Sequence, residues 1–167
     1  MVIVDPPHIR AAGSIDADVD LAALRSFRSY LGSGVWYERE AEKVVRRATR
    51  CWTEGELRER DRLFLIERED QLLAVAVFEA ESDPTAHLGF VGLSRDVHGA
   101  RIDSPSGQRL SDTVVESVLD EAAGLGFRRV TAQVAREHAK ARALLDRAGF
   151  RDVSRFDHDY DLWAVTL

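Results

Sequence analysis

VTAQVAREHAKARALLDRAGF, residues 130–150, changes its period once and so reads as two elements. The run FRRVTAQVA, ending at Ala135, has the alternating, β-branched character of a strand. From Glu137 onward, Ala141, Leu144, Leu145 and Ala148 recur at helical spacing and form one apolar stripe. Gly149 stands where a positive φ can end that helix. Immediately upstream, LSDTVVESVLDEAAGLG places Leu110, Val114, Val118 and Ala122 on one helical face. Ser111 and Asp112 are available to cap its start, and Gly124 and Gly126 mark its end. The tail adds β-like runs at 152–156 and 160–166, so the second half reads strand, helix, strand, helix, strand.

Further out, RLFLIERED and QLLAVAVFEAESD, from residue 62 on, are β-rich runs split by charged residues, the pattern of a hairpin. AHLGFVGLSRD adds a strand at about 86–94, and VHGARIDSPSGQR, with Gly99, Pro105 and Gly107, predicts a loop over 97–109. Strands of this kind need helices to cover their apolar faces. The first half supplies two candidates. Leu21, Leu24, Phe27 and Leu31 share a face in a helix that Asp18 or Asp20 can cap and Gly32 can stop. A second helix is expected over 37–50, with Ala41, Val44, Val45 and Ala48 inward, and a short strand over 8–12 precedes both. The expected fold class is mixed α/β (α+β), one domain over 1–167, because no low-complexity linker divides the chain.

Composition narrows the functions. The chain has 167 residues, within the usual size of a single domain, and is 45% hydrophobic and 31% charged, which offsets chain entropy and excludes wholesale disorder. Asp plus Glu outnumber Lys plus Arg by 29 to 23, a net charge of -6 that argues against general nucleic-acid binding. A local strip of Arg128, Arg129, Arg136 and Lys140 is still compatible with a phosphorylated ligand. No run approaches a membrane span and no leader-like segment opens the chain, so a cytoplasmic protein without a membrane partner is expected. The one cysteine, Cys51, permits neither an internal disulfide nor a multi-cysteine metal site, and no His or Asp arrangement marks it as a nucleophile. His158 lies in DHDYD, but adjacent strand residues face opposite sides, so this run reads as a solvated strand edge and no metal site is expected.

The order of elements and the 130–150 pattern resemble the end of the core of the GNAT superfamily of N-acetyltransferases. Where that superfamily commonly has Asn after the strand, then Ala, a Leu-Tyr pair and Gly-Phe, this chain has His138, Ala141, Leu144, Leu145, Gly149 and Phe150. The spacing matches; the Asn and the Tyr do not. The superfamily's pyrophosphate loop, Gln/Arg-x-x-Gly-x-Gly/Ala, falls on Ser106-Gly107-Gln108-Arg109-Leu110-Ser111, with both small positions near its end altered and a longer connection before it. The resemblance is good over 62–167 and rests on element order alone over 8–61. It implies a central mixed sheet flanked by helices and acetyl-CoA as acyl donor. It places Leu93, Arg95, Gly107, Gln108, Arg109, Leu110, Ser111, Asp112 and His138 beside the coenzyme.

A glycine-containing turn before a helix can surround a diphosphate with backbone donors at the positive end of the helix dipole. Gly107 permits close approach, Ser111 offers a hydroxyl, and Arg109 either pairs with a phosphate or obstructs it. His138 stands where an Asn would orient a coenzyme group. Direct transfer needs a base for the attacking amine and an acid for the departing thiolate. His87 is the first base candidate, from the strand that carries a base in some members of the superfamily, with Glu79 and Glu81 behind it. With Leu145 in place of the usual Tyr, Tyr160 is the candidate acid. Each has a plainer reading: a hydrogen-bonded strand histidine, solvated carboxylates at a hairpin end, and an aromatic packing on the sheet. Trp36, Trp52, Phe27 and Tyr30 either border an acceptor pocket or pack helices.

Three functions follow as expectations: an acetyl-CoA-dependent N-acyltransferase acting on a small-molecule or protein amine, a non-catalytic ligand- or protein-binding module of the same fold, and a homodimer extended through the strand-like tail.

Overall fold

The computed structural model describes residues 1–13 and 58–167, with isolated positions (23, 24, 27, 39, 43, 46, 47, 50, 54 and 56) between them. The helices expected over 20–31 and 37–50 therefore lie largely outside the described residues, as do Trp36, Trp52, Tyr30 and Cys51. The described strands are β1 (Ile3–Val4), β2 (His8–Ala12), β3 (Arg62–Arg68), β4 (Gln71–Ser82), β5 (Thr85–Leu93), β6 (Arg101–Ile102), β7 (Arg129–Ala135), β8 (Arg151–Arg155) and β9 (Tyr160–Thr166). The continuous helices are α1 (Leu110–Gly124) and α2 (Ala139–Arg147). A seven-stranded sheet has the order β2-β3-β4-β5-β7-β9-β8, and β1 pairs with β6 in a small separate ladder. The mixed α/β class is as the residue pattern implies, and the central sheet flanked by helices is as the resemblance implies.

Every neighbouring pair in the large sheet is antiparallel except β5 and β7. A parallel pair needs a crossover, and α1 is that crossover, packing on the sheet against β5, β4 and β2. Its residues Leu110, Val114, Val115, Val118 and Ala122 enter one core with Phe64, Ile66, Phe78, Ala86, Leu88, Val130 and Ala132. Strand alternation sends Leu63, Leu65, Val75 and Val77 to the opposite face, where Leu24 and Phe27 of the first half meet them. Extra residues interrupt this alternation twice. The register between β4 and β5 slips between Val77 and Phe78, which makes Gly89 the extra residue on β5, and again between Ala80 and Ser82, which makes Glu81 the extra residue on β4.

Both helices stop in the same way. Gly126 and Gly149 hold φ of +90° and +91°. Phe127 N–H reaches back to Ala122 O at 3.1 Å and Phe150 N–H to Leu145 O at 3.0 Å, so a buried phenylalanine follows each glycine and ties the chain into the core. α1 starts at Leu110 as the spacing implies, but its cap differs from expectation. Arg109, not Ser111 or Asp112, is the capping residue, and no side chain caps the first turn. Asp112 is instead held by Arg147 of α2, with Oδ1 2.8 Å from Nη2. The DHDYD run also differs: 157–159 form a bend, in which the Asp157 carboxylate accepts the N–H groups of Asp159 and Tyr160, and only Tyr160 and Asp161 enter β9. Those two backbone hydrogen bonds hold the Asp157 carboxyl below its usual range.

Candidate active site

β5 and β7 form ladder pairs only at Thr85–Arg129, Ala86–Val130 and His87–Thr131. Beyond that point β5 continues to Leu93 and β7 to Ala135 without pairing, while each keeps its other neighbour. The centre of the sheet therefore opens as a wedge whose vertex is His87 and Thr131. Unpaired strand backbone inside a fold needs donors and acceptors from elsewhere, which suits an extended ligand carrying amides. A parallel crossover brings the N-terminus of α1 to the C-terminal end of β5, so the start of the helix stands at the open end of the wedge. About 20 Å of strand separates His87 from Leu93.

The loop at the open end is built rather than loose. β1 and β6 pair in parallel, and Arg101 N–H and Asp103 N–H donate to Val2 O and Val4 O at 3.0 and 2.7 Å. Ile102 N–H donates to Gln108 O at 2.8 Å, Leu110 N–H to Ala100 O at 2.9 Å, and Arg101 Nη1 to Gly107 O at 2.7 Å. Gly107 sits at φ +55° with its own N–H on Ser104 O at 3.0 Å. Among the described residues, nothing accepts from the backbone N–H groups of Gln108, Arg109 and Ser111. These donors, at an uncapped helix start, have the character of an anion cradle. Leu110 itself is buried core, and its N–H is already committed. Arg95 and Arg109 are exposed at this end of the molecule.

At the vertex, His87 is the third residue of β5 and half-buried. Its Nδ1 lies 3.0 Å from Thr131 Oγ1, and that hydroxyl is 3.4 Å from both Glu81 Oε2 and Ala86 O. Glu79 is the ladder partner of His87 on the same face of the sheet, and its carboxylate is 3.8 Å from Arg47. Burial pushes His87 below the ordinary value of 6.5, against the opposing pull of Glu81 and Glu79. A half-buried imidazole that stays neutral near pH 7 is suited to accept a proton.

A family model described as the acetyltransferase (GNAT) family matches residues 27–150. The chain belongs to the GNAT acetyltransferase family. No curated protein matches the sequence. Among solved structures, the chain is similar to the PaiA N-acetyltransferase of Thermoplasma acidophilum in complex with coenzyme A, with 11% identity, TM-score 0.68, and 96% of this chain and 99% of that one covered. It is similar to a GNAT family acetyltransferase from Listeria monocytogenes, with 16% identity, TM-score 0.66, and coverage of 96% and 95%. It is also similar to the N-acetyltransferase PseH of Campylobacter jejuni in complex with acetyl coenzyme A, with 11% identity, TM-score 0.64, and coverage of 95% and 99%. At these identities the likeness is one of fold.

Within this GNAT fold the residues singled out in the sequence fall into two groups. Gly107, Gln108, Arg109, Ser111, Leu93 and Arg95 gather at the open end of the wedge, and Asp112 is beside them but engaged with Arg147. His138 precedes α2, with its N–H on Ala135 O at 2.9 Å, at the end of β7. Leu145, at the position of the missing Tyr, is buried in the core shared with Phe150 and Trp163. Tyr160 pairs with Ala135 and so shares a sheet face with Thr131, but about 13 Å of strand separates those two levels. His87 and Tyr160 are not brought together. Arg136, counted in the basic strip, is spent on the 157–161 segment: Nε bonds Asp161 Oδ1 at 2.8 Å, and the rest of the fork binds the carbonyls of Asp157, His158 and Tyr160.

Two features escaped the sequence reading. Thr131 lies inside the decisive stretch as an ordinary strand threonine, and only the parallel register sets it against His87. The β1–β6 strap has no sequence signal beyond the apolar residues Met1 to Val4 ahead of Pro6. No helix among the described residues is long and apolar enough to cross a membrane.

Proposed function

We propose that this protein transfers an acetyl group from acetyl-CoA to the nitrogen of an amine, with His87 as the general base. The observation that carries the reading is the wedge between β5 and β7, which closes at a half-buried histidine and opens at an uncapped helix start with free backbone donors. The residues fit the coenzyme at both ends. Gln108, Arg109 and Ser111 present N–H groups suited to a diphosphate, and the unpaired edges of β5 and β7 can take amide hydrogen bonds from an extended arm. Acetyl-CoA, when bound, supplies the thioester whose acyl carbon an amine attacks. His87 Nε2 would accept the proton that the amine must lose. As the N–C bond forms the thioester C–S bond breaks, and the coenzyme leaves as a thiolate that takes up a proton from the imidazolium or from water. The strand walls hold the reactants in line.

The buried Leu145 favours a second reading, a binding module of the same fold without turnover, because no phenol stands at that position to protonate a thiolate. One experiment separates the two. Calorimetric titration with acetyl-CoA is expected to saturate, and thiol release with a panel of amines is expected to exceed the hydrolytic background. Amine-dependent release overturns the binding module; saturation without it supports a module that holds the coenzyme, and no saturation overturns the transferase reading.

A further inference from the structure

We propose that Thr131 is a positioning residue for His87: it accepts a hydrogen bond from Nδ1–H and so leaves Nε2 as the open, proton-accepting nitrogen. This rests on the reading of His87 as base. A threonine hydroxyl has one proton to give. Two of the three groups around Oγ1, the Glu81 carboxylate and the Ala86 carbonyl, only accept, and both lie at 3.4 Å. The third, His87 Nδ1 at 3.0 Å, is the closest and is the only one able to donate. The chain of bonds runs without conflict when the imidazole donates to Oγ1 and the hydroxyl gives its one proton to either of the two acceptors. The reverse arrangement leaves the hydroxyl without a donor and places two acceptors against its lone pairs.

The fold supplies this chain with specific devices. The last pair of the β5–β7 ladder sets Thr131 beside His87, and the extra residue in β4 re-aims Glu81 toward the same hydroxyl. Thr131 is itself buried, at 4% exposure, so its rotamer is set by packing. Besides Glu81, the charged group beside the imidazole among the described residues is Glu79, its ladder partner, whose carboxylate is 3.8 Å from Arg47. Neither reaches Nδ1 in a hydrogen bond, so among the described residues the threonine is the group that orients the ring.

The test reads the ring nitrogens directly. Nitrogen NMR of the full chain with labelled histidine, His87 assigned by its loss in H87Q, is recorded above the imidazole's titration. Wild type is expected to show a protonated, pyrrole-type Nδ1 and a pyridine-type Nε2. Thr131→Val, close in shape and still β-branched, is expected to lose that preference, and Thr131→Ser to keep it. In turnover, T131V is expected to lower kcat by ~10-fold or more with KM for acetyl-CoA unchanged, and T131S to restore it. A protonated Nε2 in wild type, or a T131V spectrum identical to wild type, overturns the proposal. A wild-type protein that transfers no acetyl group ends the assignment of His87 as base, and the nitrogen spectra still decide the hydrogen-bond assignment.

Discussion

At successive ladder steps, β5 and β7 present Ala86 and Val130 to the side covered by α1, and His87 and Thr131 to the other. The first pair is fully buried among aliphatic and aromatic side chains; the second forms a polar chain with Glu81 in a half-buried setting. Two faces of the same backbone thus carry different duties. The apolar face gains stability from every buried methyl group and fixes where the strands lie. The polar face uses that rigidity to hold an imidazole in a place where it stays neutral. The ladder ends at the one point where both duties meet, and beyond it the strands part.

The contrast sharpens most when the polar face is changed without touching the other. His87→Gln is expected to lower kcat/KM by ~10²–10⁴-fold, the usual contribution of a general base, while the calorimetric affinity for acetyl-CoA and the thermal midpoint hold. If affinity falls in step with turnover, His87 belongs to the binding site and not to proton transfer. The pH profile gives the same contrast without a mutation. Because His87 is held below 6.5, the acid limb of kcat/KM is expected below that pH and absent in H87Q. The sign for stability agrees: below 6.5 the unfolded chain takes up the proton before the folded one does, so folding is weakened as pH falls through that window.

The apolar face breaks in the opposite manner. Phe78→Ala, at a ring that is fully buried and edge-on to Phe127 with centroids 5.6 Å apart, is expected to cost about 3–5 kcal/mol in urea unfolding. The acetyl-CoA affinity of the fraction that stays folded should hold. Asp61 is a smaller case, a buried carboxylate just before β3 that accepts Ala80 N–H at 2.8 Å and Arg58 Nε at 3.2 Å. Asp61→Ala is expected to cost about 1–3 kcal/mol by leaving those donors without their partner. The smallest effect is expected at Tyr160→Phe. Its level in the sheet is far from His87, so kcat should stay within ~3-fold, whereas a general acid would contribute ~10²-fold or more. A large loss in Y160F would show that the two ends of the wedge act on one bond.

Much of the fold was legible because its signals are local. The strand-to-helix change at 135–139, the four-residue spacing from Leu110 to Ala122, and the glycines that end both helices all follow from side-chain period and backbone freedom within one or two turns. Of the proposed site, the sequence showed the positions and not the roles. The glycine turn at Gly107 ahead of a helix, and a strand holding His87, were both legible from spacing. The start of α1 at Leu110 was readable but its cap was not: Leu110 N–H is claimed by Ala100 O and its side chain by the core, so Ser111 falls inside the first turn with its N–H free instead of capping it. Asp112 read as a cap because nothing near it in the chain reveals Arg147, 35 residues away.

The sequence by itself determined which segments become strands and helices and which of their sides are apolar, because propensity and period act over neighbouring residues. Only the tertiary structure decided that β5 and β7 run parallel, that their pairing stops after His87 and Thr131, and that an extra residue in β4 turns Glu81 toward them. Those are matters of register across 44 residues and a helical crossover, and register is settled by how the whole sheet packs against α1, which no single stretch of the chain contains.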